Sequence, residues 1–247
     1  MRNKGYIIQS GANLSEAFLF QADLRYADLT FANLQRANLS EAQMKWAKLD
    51  ESQLNHAILQ ATDLRNVSFV HANLSNANLV EANMLRVNLS FSTCYQAQFR
   101  WANLQDSIFN GADFTEAILS RANLVRGAFE KTVLTKAVLT GTSLMEANLR
   151  EANLNGANLT DADLYWADLK KASLQNTNLQ QARLSSANLS GCDLRGANFQ
   201  GAYLRGAKID NADLREADFR GAIFNDEQLW RTNNLKGAIM PNGKVIR

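Results

Sequence analysis

The sequence has little proline, cysteine or histidine, and neither sign of charge dominates it. Its two cysteines, Cys94 and Cys192, lack metal-ligand spacing, so we expect neither a disulfide framework nor a zinc site. The 26 basic and 24 acidic residues leave a net charge of +2, too small to steer the chain toward nucleic acid or an anionic membrane. No apolar run is long enough to span a bilayer, and residues 6–8 are too short for a signal-peptide core. We therefore expect a soluble, cytoplasmic protein that binds neither nucleic acid nor membrane.

What the sequence has in abundance is a five-residue unit, Ala-(Asn/Asp)-Leu followed by two variable residues. The unit keeps one phase from Ala12 to Asp226. Its central residue recurs at every fifth position from Leu14 to Phe224, which makes 43 units without an insertion. One unbroken repeat over most of the chain predicts a single elongated unit rather than two globular domains.

The period of five fits neither a helix nor a straight strand. A helix turns by about 100° per residue, so successive central leucines would rotate by roughly 140° and form no apolar stripe. In a straight strand Ala12 and Leu14 share one face, but Ala17 and Leu19 would point to the opposite face. A corner in every unit removes this conflict. If each corner turns the chain by about a right angle, four units close a 20-residue coil with every Ala and Leu inside.

This pattern closely resembles the pentapeptide-repeat family over residues 12–226. The resemblance implies an all-β solenoid, the right-handed quadrilateral β-helix, and 43 units in groups of four would make about 11 coils. Such folds often close their C-terminal end with a short helix. We therefore expect an N-terminal cap at 1–11, the β-helix at 12–226, and a C-terminal cap helix and tail at 227–247.

The ends of the repeat leave one alternative open. Asn225 or Asp226 is suited to N-cap a short helix that runs through Trp230. In the alternative to such a cap, Trp230 and Ile239 join two molecules end to end. The chain is therefore expected to be a monomer or an end-to-end homodimer.

The central residue of each unit is expected to fill the interior together with the small residue two positions earlier. The central residue is Leu in 31 units and Phe in eight. Each buried Leu or Phe should contribute about 1.5–3 kcal/mol, so the solenoid should have a packed core and not a pore. The core residues that we single out are Leu154, Leu159, Leu164, Phe99, Phe109, Phe114, Ala152 and Ala157.

The polar residues have a structural interpretation that leaves no catalytic, cofactor or metal site. We interpret five aspartates as corner residues that bond to nearby backbone: Asp163, Asp168, Asp193, Asp213 and Asp218. Asp161, Asp163 and Asp168 fall on different faces of one coil, so a bound cation is not expected. His56 and His71 point outward without a nucleophile beside them, and no phosphate-binding loop or hydrolase elbow is present. We predict that the protein is not an enzyme and uses no cofactor.

The outward residues are where function is expected. Candidate partner-surface residues are Ile108, Ile118, Val133, Val138, Tyr26 and Trp46. Ile118 and Val138 should lie on adjacent coils of one face, and contiguous apolar patches often mark interaction sites. The alternative is that β-branched residues are simply tolerated on a strand-like wall.

Two functions compete. The first is a structural, protein-interaction solenoid that binds an unknown protein partner through its outer walls. The second follows from the resemblance, because some family members imitate DNA and bind DNA gyrase, a type II topoisomerase. Those proteins present an acidic surface, whereas the charges here are mixed, so we favour the first.

Overall fold

The chain folds as a repeat solenoid. The computed structural model describes residues 2–225, 228, 232 and 234–247, and each pentad in it pairs with the pentad 20 residues later. The pairs are single parallel bridges at the residue before each central residue, from Asn13 with Asn33 to Tyr203 with Ile223. Four pentads therefore complete one coil, and the predicted 20-residue step is the one observed.

The four walls of the coil are named here by their first central residue. Wall A starts at Leu14, wall B at Leu19, wall C at Leu24 and wall D at Leu29, and each 20-residue step returns to the same wall. Adjacent coils are one strand spacing apart, about 4.8 Å, so side chains 20 residues apart form columns on the outer surface.

Each corner is a tight turn whose third residue has a positive φ. At the first full corner the Ala17 N–H donates to the Leu14 carbonyl at 3.1 Å, and this bond recurs along the solenoid. Every fifth residue from Gly11 to Gly221 has a φ of 53° to 72°. A positive φ at the third turn position only is the pattern of a type II turn. The recurring glycines at 191, 196, 201 and 206 favour such turns in one coil, but the structure uses them at every corner.

The central and companion residues fill the interior. The predicted core residues are each at most 1% exposed: Leu154, Leu159, Leu164, Phe99, Phe109, Phe114, Ala152 and Ala157. Polar companions are satisfied locally, since Ser52 Oγ donates to the Leu49 carbonyl at 2.6 Å and Thr62 Oγ1 donates to the Leu39 carbonyl at 3.0 Å. The interior is therefore packed with side chains and carries few polar groups.

Both cysteines lie in this core as free thiols. Burial raises the pKa of the Cys94 and Cys192 thiols to about 12, so both are protonated at neutral pH. Cys192 Sγ donates to the Leu169 carbonyl at 2.9 Å. Neither thiol is therefore available as a nucleophile.

A small hairpin precedes the first coil. Strand β1 is Arg2–Asn3 and strand β2 is Tyr6–Ile7, and they pair antiparallel. Ile8 is buried and Tyr6 packs against the core, whereas Ile7 is 52% exposed. Of the residues at 6–8, the first and the last thus cover the open end of the solenoid.

The hairpin also satisfies backbone groups of the first coil that have no preceding coil to pair with. Unpaired edge groups cost stability and invite association with other chains. Three contacts supply the missing partners: the Phe18 N–H donates to Tyr6 Oη at 3.2 Å, Asn3 Nδ2 donates to the Asp23 carbonyl at 2.6 Å, and Lys4 Nζ donates to the Phe20 carbonyl.

The register changes in the last coil, which is one residue longer than the others. Asp213 pairs with Asn234 and Asp218 pairs with Ile239, both across 21 residues. The chain then folds back, and Ile239 forms an antiparallel bridge with Val245. The helix expected from 225 to 230 falls mainly on residues 226, 227, 229 and 230, which lie outside the described residues. The described parts of the chain contain no helix.

The Gln228 side chain bridges this change of register. A 20-residue step would place the Gln228 backbone N–H on the Ala207 carbonyl. Instead, its side-chain Nε2 donates to the Ala207 carbonyl at 2.6 Å and to the Leu204 carbonyl at 3.0 Å. Its Oε1 accepts from the Asn225 N–H at 2.7 Å. One amide therefore satisfies three backbone groups at the end of the regular coils.

Candidate partner-binding walls

The polar residue before each central residue is tied to the backbone. Asn158 Oδ1, for example, accepts from the Thr160 N–H at 3.1 Å. The same bond is made by the five aspartates assigned to corners, Asp163, Asp168, Asp193, Asp213 and Asp218, at 3.0–3.3 Å. Amides also stack between coils, since Asn123 Nδ2 donates to Asn103 Oδ1 at 3.1 Å. The Asn/Asp preference is therefore a turn requirement, because either side chain supplies the acceptor oxygen.

Several aspartates also hold an arginine two residues later, a pairing that the sequence analysis missed. Residues two apart on a strand share a face, so the Asp-x-Arg spacing was a usable signal. Three pairs lie on the last coils, with Arg NH2 to Asp Oδ2 distances of 2.7, 2.6 and 2.6 Å: Asp193 with Arg195, Asp213 with Arg215, and Asp218 with Arg220.

These arginines fix the charge of their partners. The hydrogen bond from the arginine is the main reason that the pKa of each of the three carboxyls is lowered from its usual range. The carboxylates are therefore ionised at neutral pH and already hydrogen-bonded to arginine. A carboxylate in this state is poorly suited to act as a general acid or base.

The two histidines and the aspartates considered for a cation lie apart. His56 and His71 sit at positive-φ corners, and the His71 ring stacks on Phe91 with centroids 5.2 Å apart. Asp163 pairs along wall C and Asp168 along wall D. Within the described ranges, no group of three or more His, Cys, Asp or Glu side chains is arranged to hold a metal ion.

The structure separates the predicted apolar surface residues onto three walls. Ile118 and Val138 bridge each other on wall B. Val133 lies on wall A between Asp113 and Asn153, and Ile108 lies on wall D. Ile108 is 41% exposed, while Ile118, Val133 and Val138 are half-buried. Only the wall B pair is brought together.

Tyr26 and Trp46 lie on adjacent coils at the corner between walls C and D. Both are exposed, at 74% and 49%. The Trp46 ring already has a cation beside it, since Lys45 Nζ lies 5.9 Å from the ring centroid. The two rings therefore stand in one column, but Trp46 is partly occupied by its neighbour in the chain.

A second apolar column was not predicted. Val125, Met145 and Tyr165 follow their central residues on three successive coils of wall C. The Tyr165 ring stacks on Trp166 at the adjoining corner, with centroids 5.3 Å apart and planes 12° apart. The predicted surface residues occupy the position before the central residue or a corner, and this column lies at neither. Reading the position after the central residue at a spacing of 20 would have found this column.

The coil geometry and the inward pair define a pentapeptide-repeat protein, and the family comparison confirms it. A family model described as pentapeptide repeats matches residues 10–40, 27–66, 68–106, 97–135, 128–161, 162–201 and 197–226. The chain belongs to the pentapeptide repeat family. Among the described residues, no helix is long and apolar enough to cross a membrane.

Solved structures of other family members are similar to this chain. HetL, described as involved in heterocyst differentiation regulation in the cyanobacterium Nostoc sp. strain PCC 7120, is 31% identical over 89% of this chain and 91% of its own, with a TM-score of 0.43. Rfr23 from the cyanobacterium Cyanothece 51142 is 39% identical over 40% of this chain and 64% of its own, with a TM-score of 0.32. QnrB1, a plasmid-mediated fluoroquinolone resistance protein, is 22% identical over 73% of this chain and 80% of its own, with a TM-score of 0.33. A comparison with curated proteins found no match.

Proposed function

We propose that the protein is a non-enzymatic interaction solenoid that binds a protein partner through its outer walls. The observation that carries this proposal is the bridge between Ile118 and Val138, which sets two β-branched apolar side chains side by side on wall B. The interior is filled, so the outward columns are the chemistry that remains available for recognition. The hydrogen bonds between coils hold these columns rigidly, which lowers the entropic cost of binding.

We also propose the handedness, the cross-section, the number of coils and the caps of the solenoid. The β-helix is right-handed and quadrilateral, with about 11 coils over residues 12–226. Residues 1–11 cap its first coil and residues 227–247 cap its last. The contacts of Tyr6, Asn3 and Lys4 with the first coil support the N-terminal cap. The hairpin that ends at Val245 supports the C-terminal one.

The experiment is a pull-down with the double variant Ile118→Ser/Val138→Ser as bait, in lysate from the source organism. We expect the variant to lose a protein that the wild-type chain captures. Ile58→Ser is the matched control, because Ile58 is on the same wall but lies between Asn38 and Asn78. Identical captured proteins for the wild-type chain and the double variant would remove wall B from the proposal.

Binding to DNA gyrase is the second candidate, and we place it lower. Imitation of DNA requires a surface of free negative charge, whereas aspartates such as Asp193 and Asp213 are neutralised by arginines. We expect no effect of micromolar purified protein on gyrase supercoiling. Inhibition, or protection of the enzyme from a quinolone, would reverse the order of the two candidates.

The proposed state is a cytoplasmic monomer or a homodimer joined end to end, with neither nucleic acid nor membrane as partner. Sedimentation analysis over a range of concentrations separates the two oligomeric states. Dissociation by substitution of the exposed Val245 on the C-terminal hairpin would assign a dimer to that end.

A further inference from the structure

The unpredicted column on wall C is apolar where the repeat usually places polar residues. Val125, Met145 and Tyr165 occupy the position after the central residue on consecutive coils, and on the next coil Ser185 takes that position. Val125 and Met145 are half-buried and Tyr165 is 37% exposed. The result is a continuous apolar strip that spans two strand spacings, roughly 10 Å, on a flat and hydrogen-bonded wall. Met145 at its centre is flexible and polarizable, which suits contact with a partner side chain.

An aromatic pair ends this strip. Trp166 is 59% exposed, and Tyr165 stacks on it with nearly parallel planes. The faces of Trp and Tyr attract cations, and exposed aromatic side chains of these types are frequent anchors of protein interfaces. Trp46 occupies the same corner column, but the residue before it is Lys45, whose Nζ lies 5.9 Å from the ring. At Trp166 that preceding position holds a second aromatic ring, so the pair has no cation from its own chain neighbour.

Two carboxylates flank the aromatic pair. Glu146 lies one coil before Trp166 in the same column, and Asp161 lies at the other corner of wall C in the same coil as Tyr165. Within the described residues, neither carboxylate forms a salt bridge or accepts a hydrogen bond. Arg126, on the preceding coil of the Glu146 column, forms its ion pair with Asp106 at 2.7 Å; this hydrogen bond is the main cause of its raised pKa, to which the charge of Glu146 adds a smaller contribution.

We propose that wall C binds an extended protein segment in which a basic side chain is flanked by apolar ones. The site consists of Val125, Met145, Tyr165, Trp166, Glu146 and Asp161. The apolar neighbours of the segment lie along the strip, and its Arg or Lys side chain lies over the aromatic pair. There the positive charge of this side chain is attracted by the two carboxylates. This inference rests on the proposed function, that the walls bind protein, and specifies the wall and the chemistry of the partner.

The test measures fluorescence anisotropy of labelled decapeptides in which one central residue is flanked by leucine and alanine. The central residue is Arg, Lys, citrulline or Glu, and citrulline keeps the shape of Arg without its charge. We expect the Arg and Lys peptides to bind, the citrulline peptide to bind about tenfold more weakly, and the Glu peptide not to bind. Trp166→Ala should weaken binding of the Arg peptide by roughly tenfold.

Matched variants separate recognition from folding. Trp101→Ala removes an exposed ring from the other corner column of wall C, outside the proposed site, and should leave the affinity unchanged. Glu146→Gln/Asp161→Asn keeps the shape of the site and should weaken both the affinity for the Arg peptide and its dependence on salt. Circular dichroism melting curves show whether each variant is folded at the assay temperature.

Three results would overturn the inference. They are equal affinity for the Arg and citrulline peptides, unchanged affinity in folded Trp166→Ala, and no binding by any peptide of the set. Dimerisation of the wild-type chain that Trp166→Ala abolishes would identify a second copy as the occupant and would also overturn it. The proposed function survives these results if the wall B double variant still loses a captured protein, so the two failures are distinguishable.

Discussion

Gly127 is the one companion position that has no side chain, and its neighbours explain why. The Phe109 and Phe129 rings stack beside it with centroids 4.1 Å apart and planes 7° apart. A Cβ added at Gly127 would lie 2.6 Å from Phe129 Cε2, 3.2 Å from Phe109 Cε2 and 3.0 Å from the Leu124 carbonyl oxygen. We therefore expect that only glycine fits at this position beside the two stacked rings.

The substitution Gly127→Ala tests this reasoning because two effects predict opposite signs. At a φ that any residue can adopt, replacing Gly by Ala usually stabilises a protein by about 0.4–1 kcal/mol, because the unfolded chain becomes less flexible. Overpacking a well-packed core usually costs about 1–3 kcal/mol. A contact of 2.6 Å with a buried ring leaves no room to relax, so we expect a net loss of about 1–2 kcal/mol. The measurement is the urea midpoint followed by far-UV circular dichroism.

A second-site change provides the control. Phe129→Leu removes the ring that the new methyl group would strike, and Leu is the residue that most units carry at this position. The cost of Gly127→Ala should therefore be smaller in the Phe129→Leu background, with a coupling energy of about 0.5–3 kcal/mol. A Gly127→Ala chain at least as stable as the wild type, or simple additivity in the double variant, would refute the packing explanation.

Three further predictions concern the corners, the last coil and pH. Ala61→Gly should raise the free energy of unfolding by about 0.5–1 kcal/mol in urea denaturation, because Ala61 has a φ of 53° and gains nothing from its side chain. Gln228→Ala should cost about 1–3 kcal/mol in the same assay, because the Ala207 carbonyl loses its donor, while the Leu204 carbonyl keeps only the Ala207 N–H. Asp218→Asn should flatten the fall of the melting temperature in acid. Arg220 lowers the pKa of Asp218 in the folded state, so this stabilisation is present above the unfolded pKa of about 3.9 and is lost as the pH falls through the folded value.

Each of these has an internal control. Ala57→Gly, at the inward companion position of the same pentad, should destabilise and not stabilise the chain. Gln228→Glu keeps one acceptor oxygen but supplies no donor, so it should be at least as harmful as the alanine variant. Asn at 218 still accepts the backbone N–H of Arg220, as Asn does in neighbouring pentads, so the variant should remain folded at pH 7. A stability change of opposite sign in Ala61→Gly or Ala57→Gly would contradict the argument about the corners. A Gln228→Glu variant as stable as the wild type would contradict the argument about the last coil. An unchanged dependence of the melting temperature on acid pH in Asp218→Asn would contradict the argument about Arg220.

Much of the fold was predictable because one rule repeats without interruption. The step of five requires a corner in every unit, and the right-angled corners that the family resemblance implies close the 20-residue coil that joins Asn13 to Asn33. The ends were not predictable in the same way, since they depend on single contacts. The 21-residue step to Asn234 leaves no mark in the repeat, and the role of Gln228 follows only from the carbonyls that it meets.

The candidate sites were predictable from the sequence only in part, because the position of a residue within the pentad determines which column it joins. Ile118 and Val138 emerge from the residues before the central position, but that comparison also grouped them with Ile108, which the coil places on another wall. Tyr165 occupies a different position in the unit, and its contact with Trp166 depends on side-chain orientation at the corner. Spacing assigns a residue to a wall, but it does not determine which neighbouring rings stack.

The 20-residue coil also determines which length changes the protein tolerates. Loss of one pentad, for example 142–146, would leave every inward Ala and Leu inward, so the chain could still form a complete core. All later residues would nevertheless be rotated by a quarter turn relative to all earlier ones, and Trp166 would leave the corner that it shares with Trp46. Loss of four pentads would shorten the rod by one coil and realign the same columns. Deletion of a single pentad would therefore be compatible with folding but would disrupt binding through any column that spans the deletion.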